Sequence, residues 1–262
     1  MKKATLAALS VIAICTALLA GTVNATKAGY ALWNFQGGAP TLDGAVSPDG
    51  EWTDSYHDWL YSGWTMTNST ISNKWNMEAG IYETWKIEVL SDTTNDAGDY
   101  FQICYDGQID GGTAPQTDDV LINYTGHSTS TAYRGTGTGW APDAAIVFPD
   151  NVEIASSIAA SPTSTTPHWV IEMKFGKDGT SIPGMGIDTA VRVAAYDASN
   201  PSAGVLTWPP MSSANVPDDY GLDDADITGG TIPESLSVGV MLALSFVAMI
   251  VSTRYFRKQP KL

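Results

Sequence analysis

The chain has 262 residues, with 13 basic and 28 acidic side chains, a formal net charge of −15 and a sequence pI of about 4.3. So acidic a protein repels phosphate backbones, which excludes nucleic acid as a partner. Nine tryptophans against only two cysteines, Cys15 and Cys104, mean that a hydrophobic core and not a disulfide framework must hold it together.

Residues 1–25 have the parts of a secretory signal: Lys2 and Lys3, an apolar run over 6–19, and the small-residue site Val23-Asn24-Ala25. Cleavage there would remove Cys15 and leave Cys104 alone. All 28 acidic residues then lie within 26–234, with only seven basic ones (Lys27, Lys74, Lys86, Arg134, Lys174, Lys177 and Arg192), a formal charge of −21. The stretch "PTLDGAVSPDGEW" (40–52) sets Asp43-Gly44 as a turn and offers Trp52 to a core. An aromatic segment, 56–75, follows.

Strand patterns come next. "YETWKIEVL" (82–90), "YFQICYD" (100–106), "DVLINY" (119–124), "AAIVF" (144–148), "HWVIEMKF" (168–175) and "AVRVAAYD" (190–197) alternate with period two, placing Trp85 and Trp169 inside. Residues 152–160 give the one weak helical spacing. Gly-, Asp- and Pro-rich punctuation at 91–99, 106–118, 134–143, 177–186 and 200–204 separates the strands. Strands without intervening helices predict a single all-β antiparallel β-sandwich of immunoglobulin or jelly-roll type over 26–210.

An acidic stalk is expected over 211–235. Residues 236–253 carry no charge and are about long enough to cross a bilayer as a helix. Arg254, Arg257, Lys258 and Lys261 follow, which puts 254–262 in the cytoplasm and the body outside the cell, anchored at its surface. Asn68 and Asn123 head glycosylation acceptor tripeptides.

The order of these pieces resembles carbohydrate-binding module family 9 and the wider DOMON-like sandwiches. The resemblance rests on Leu42-Asp43-Gly44 and Glu51-Trp52, the strand 100–106 ending in Tyr-Asp, Asp118-Asp119-Val120-Leu121-Ile122, Trp169-Val170-Ile171-Glu172, the strand 192–197, and Trp208-Pro209. It spans about residues 38–210, with 56–75 and 128–140 as departures. It implies the sandwich fold, and either sugar binding or haem binding. Pro233-Glu234 before an apolar segment and a basic cluster is also similar to sorting tails cut by exosortase-type enzymes; a permanent anchor is the other reading.

Sugars stack on indole faces and need a few fixed polar groups. Trp75, Trp140 and Trp208, in or beside polar loops, are the expected platforms. Calcium wants several oxygens from irregular loops. Asp92, Asn95, Asp96 and Asp99, together with Asp106 and Asp110, offer them, outside any twelve-residue helix-loop-helix pattern. Haem ligands would come from His57, His127, His168, Met66, Met77, Met173 and Met211, whose spacing selects no pair. No G-x-S-x-G, H-E-x-x-H or P-loop pattern occurs, so the expectation is a non-enzyme. The leading reading is glycan binding at a cell surface. A surface-layer, filament or adhesion subunit that self-associates through sandwich edges is the alternative.

Overall fold

The computed structural model describes residues 26–46, 50–77, 80–177, 179 and 181–224. The expected signal peptide (1–25), apolar segment (236–253) and basic tail (254–262) lie outside the described residues. Among the described residues no helix is long and apolar enough to cross a membrane.

Among the described residues fourteen strands run in chain order: β1 (Ala31–Trp33), β2 (Phe35–Gln36), β3 (Tyr56–Ser62), β4 (Thr65–Met77), β5 (Ile81–Val89), β6 (Tyr100–Asp106), β7 (Val120–Thr125), β8 (Thr129–Gly135), β9 (Trp140–Pro142), β10 (Val152–Ala159), β11 (His168–Gly176), β12 (Thr189–Tyr196), β13 (Leu206–Trp208) and β14 (Gly221–Asp224). They form one hydrogen-bonded sheet in the order β10-β11-β5-β4-β3-β13-β12-β6-β7-β8-β9. The expected sandwich is therefore a single curled sheet whose halves face each other, with β13 bridging β3 and β12. Nor is it wholly antiparallel, since β1 pairs parallel with β14 and β2 parallel with β4.

Alternation builds the core. Trp85, Ile87 and Val89 on β5, with Trp169, Ile171, Met173 and Phe175 on β11, turn inward from one half. Phe101, Ile103 and Tyr105 on β6, Val120 and Ile122 on β7, and Val191 and Val193 on β12 meet them from the other. Removing each such side chain from water contributes about 1.5–3 kcal/mol. The Tyr105 and Phe175 rings close the gap edge to face at 5.2 Å.

Two segments depart from the sequence expectation. Residues 152–159 form strand β10 rather than a helix, because Val152, Ile154 and Ile158 pack on the core with a period of two. Ala155 between Ile154 and Ile158, with Ala159 and Ala160 after them, imitates helical spacing. "AAIVF" (144–148) is irregular: Asp143 Oδ1 accepts the Ala145 N–H at 2.9 Å and Asn151 Oδ1 the Val147 N–H at 2.7 Å, so side chains take donors a ladder would need.

The domain also runs past residue 210. Tyr220 is fully buried, and Asp223 on β14 accepts a close hydrogen bond from Lys177. That lysine is wholly buried, with Nζ 3.2 Å from Glu83 Oε2. Asn34 donates to Glu83 Oε1 at 2.8 Å and Asn73 to Asp223 Oδ1 at 3.1 Å. Burial first, and the charge of Asp223 second, push the Glu83 carboxyl well above its usual range. Residues 211–224, expected as stalk, thus supply a counter-charge that Lys177 requires.

Candidate functional site

Residues 40–46 and 50–52 lie against the outer face of the half-sheet containing β5 and β11. Its anchor is Glu172, fully buried on β11. The carboxylate accepts Trp52 Nε1 at 2.9 Å on one oxygen, and the Asp43 and Gly44 N–H groups at 3.0 and 2.9 Å on the other. Burial raises its pKa, against the pull of these donors. Gly44 has φ +75°, and a Cβ there would meet the Ser156 backbone at 2.5 Å, so only glycine lets the turn lie this close to β10.

Beside this crossing lies a groove of about 350 Å³, lined by Val46, Gly50, Trp52, Thr53, His57, Lys86, Pro162 and Thr163. Its volume falls in the lower part of the range for small-molecule sites. Register explains the assembly. His57 on β3 stands opposite Ser72 on β4, which stands opposite Lys86 on β5, so the three share the outward face. Trp59, two residues along β3 on that same face, is 43% exposed. Lys74 and Lys86 sit over the Trp52 ring, 5.1 and 5.9 Å from its centre.

Glu88 fixes the floor. One oxygen accepts Lys86 Nζ at 2.7 Å, Thr163 Oγ1 at 3.1 Å and Thr70 Oγ1 at 3.3 Å; the other lies 3.2 Å from His168 Nε2. His168 Nδ1 is 2.9 Å from the Thr166 carbonyl. Burial opposes charge on both partners. The contact with Glu88, backed by Thr166, nevertheless raises the histidine, and His168 and Lys86 hold the Glu88 carboxyl well below the usual range. The groove wall is thereby pre-set, with every charge beneath it paired.

The expected tryptophan platforms fare differently. Trp208 is fully buried on β13, donating Nε1 to Asp58 Oδ2 at 2.8 Å, and Trp75 is 4% exposed on the core face of β4. Both leave the candidate surface because the segments read as loops around them are strands. Trp140 is half-buried at the start of β9, with Nε1 on the Ala214 carbonyl at 3.2 Å. Trp52, Trp85 and Trp169 are core, as expected. The groove instead uses Trp52, His57 and Lys86, and the 56–75 segment that had no assigned role turns out to be the β3–β4 hairpin carrying its rim.

The acidic loops form two clusters. Asp92 and Asp99 meet His127, with candidate ligand atoms all within 4.8 Å of one another. Asn95 is exposed and Asp96 half-buried, its carboxylate taking the Thr94 hydroxyl at 2.6 Å, so neither joins that group as the sequence suggested. Burial, aided by the charges of Asp99, Asp197 and Asp96, pushes Asp92 up to about 7 against the Thr94 N–H. Asp106 and Asp110 come together with Asp118. There the oxygens are largely spent on turn amides: Asp106 accepts from Gly111, Gln108 and Asp110, and Asp118 from Gln108. Burial and these neighbours push Asp119 up to about 8. A concavity of about 500 Å³ beside this cluster has no aromatic wall, and Arg134 within it is already tied to Asp143 and the Pro183 carbonyl.

Of the glycosylation acceptors, Asn68 is exposed on β4, whereas Asn123 is half-buried and donates to Thr125 Oγ1 at 2.8 Å. Sequence spacing offered no sign of His127 as a cluster member, since folding alone brings it to Asp92 and Asp99 in another loop; Asp118 closes the same 106–118 loop that holds Asp106 and Asp110.

No protein-family description and no curated protein matches the sequence. Among solved structures the chain is similar to a carbohydrate-binding module family 9 from Caldicellulosiruptor kristjanssonii in complex with cellotriose, at 12% identity and a TM-score of 0.49, covering 78% of this chain and 98% of that one. The same kind of module in complex with glucose matches at 12% identity and a TM-score of 0.48, covering 77% and 98%.

Proposed function

We propose that the domain is a non-catalytic glycan-binding module whose ligand lies in the groove on the outer face of β3–β5. One observation carries this reading: an exposed indole, Trp59, stands on the same sheet face as the polar groups His57 and Lys86 that line the groove, two residues along β3 from His57. Sugar rings need an apolar face to stack on and a few fixed donors and acceptors for their hydroxyls. The carboxylate network under Lys86 holds those donors in place before any ligand arrives, which lowers the ordering cost of binding. The apolar segment 236–253 and the basic residues after it support display on the cell surface, with the domain outside.

Calorimetric titration of the full-length chain with gluco-, xylo- and manno-oligosaccharides tests this. Trp59→Ala and His57→Ala are each expected to weaken binding about tenfold, in line with the loss of one stacked aromatic or one fixed polar group. Trp64→Ala, removing the 68%-exposed indole at the β3–β4 turn, should leave it unchanged. No binding of any saccharide, or equal binding in all variants, would overturn the proposal.

A further inference from the structure

At the loop end of the sheet, two separate segments converge. Asp92 and Asp99 come from the β5–β6 loop, and His127 from the β7–β8 turn. Both carboxylates are completely buried, and His127 nearly so. His127 Nε2 lies 2.8 Å from Asp99 Oδ2 and 3.8 Å from Asp92 Oδ2. Its ring is packed on Trp169, 4.2 Å between centres.

Each carboxylate is aimed by the backbone. Asp92 Oδ1 accepts the Thr94 N–H at 3.1 Å; Asp99 accepts the Ala198 N–H at 2.8 Å and the Asp96 N–H at 2.7 Å. Asp92 Oδ2, facing the histidine, is buried with no hydrogen-bond partner. Nearby Asp197, whose charge is felt at Asp92, also has an unpartnered buried Oδ2. Among the described residues, the one basic group within 4.0 Å of Asp92 or Asp99 is His127. An unpaired carboxylate oxygen in the interior costs about 1–3 kcal/mol or more, so this arrangement lacks a positive charge. Glu88, equally buried, is hydrogen-bonded on both oxygens, which shows what the same fold does with a structural acid.

We propose that Asp92, Asp99 and His127 form a binding site for one divalent transition-metal ion of the zinc class. The donor set, one imidazole nitrogen and two carboxylate oxygens, is one that zinc accepts with water in the remaining position. Calcium, which the acidic loop suggested from sequence, takes oxygen ligands throughout and leaves the imidazole unused. On binding, the ion takes the place of the proton on His127 Nε2, which moves to Nδ1 in the neutral ring or leaves to solvent from the imidazolium, and it gives Asp92 Oδ2 its missing partner. The Thr94, Ala198 and Asp96 amides are the outer-shell groups that orient the ligands. The site shares no residue with the groove, so its success or failure is independent of glycan binding.

The test uses full-length chain stripped with chelator and then dialysed against Zn²⁺, Co²⁺ or Ca²⁺ alone. One equivalent of Zn²⁺ is expected. Co²⁺ should give visible d–d absorption and a paramagnetically shifted imidazole N–H resonance in the unsubstituted protein, a readout that needs no variant. Asp92→Asn and His127→Asn, the latter keeping a residue that tolerates the φ of +57° at position 127, should each weaken Zn²⁺ binding by at least about tenfold while leaving the far-ultraviolet spectrum unchanged. Uptake of Ca²⁺ but not Zn²⁺, Zn²⁺ uptake unaltered in His127→Asn, or no stoichiometric uptake at all would each overturn the proposal.

Discussion

Two buried histidine–carboxylate groups lie on either side of one residue, Trp169. On the groove side His168 meets Glu88, and every oxygen and ring nitrogen of the pair has a partner. At the loop end His127 stacks on Trp169 and meets Asp99, but Asp92 Oδ2 and His127 Nδ1 are left without partners. Burial is similar in the two places; satisfaction is not. A buried charge with a full set of partners is architecture, and removing one partner strands the others. A buried charge short of partners is a site that something else completes.

The sharpest way to break this comparison is Glu88→Ala. It strands Lys86 and His168 under the groove and should cost about 3–5 kcal/mol, read as a lower urea midpoint at unchanged slope. A loss below about 1 kcal/mol would mean that the network is ornamental. Asp92→Asn should act with the opposite sign in metal-free protein. It removes an unpaired charge, so a gain of about 1 kcal/mol is expected, a melting temperature roughly 2–4 °C higher. Excess Zn²⁺ should reverse that order, because only the unsubstituted chain binds it. The smallest effect concerns pH. His168 has a raised pKa in the folded state, so its contribution is complete below the unfolded value of about 6.5 and is lost as pH rises through the folded value. Melting temperature should therefore fall by the equivalent of about 0.5–1 kcal/mol across that window, and His168→Gln should remove the slope. Glu88, held low, keeps its contribution above its unfolded value of about 4.3 and loses it only in acid.

The groove adds a second contrast, among three buried tryptophans: two that read as exposed lie inside the sheet, and one that read as core lines the groove. Trp75 and Trp208 have polar sequence neighbours, yet they pack inward because β4 runs unbroken for 13 residues and β13 is inserted between β3 and β12. Trp52 lies in a stretch that reads as turns, and becomes a wall of the groove because Glu172, 120 positions away, accepts its indole N–H. Local polarity says how a segment meets water on average. Which side of a strand faces the core depends on where the strand is placed in the sheet.

The sequence alone determined the strands that alternate strongly, among them 100–106, which matches β6 residue for residue, and the inward faces of β5 and β11. It also determined the Asp43-Gly44 turn, the lack of long helices between strands, and the acidic character of the domain. Period-two burial and turn chemistry are local, and a single chain displays them directly. Tertiary structure decided that the two halves are one curled sheet, that 211–224 belongs to it through Asp223, and that 56–75 forms its central hairpin. It also decided the sites. His57 stands with Lys86 by cross-strand register, and His127 meets Asp92 and Asp99 because separate loops end at the same place. Neither proximity leaves a mark on residue spacing, since pairing across strands and convergence of loops are relations between segments that the chain separates.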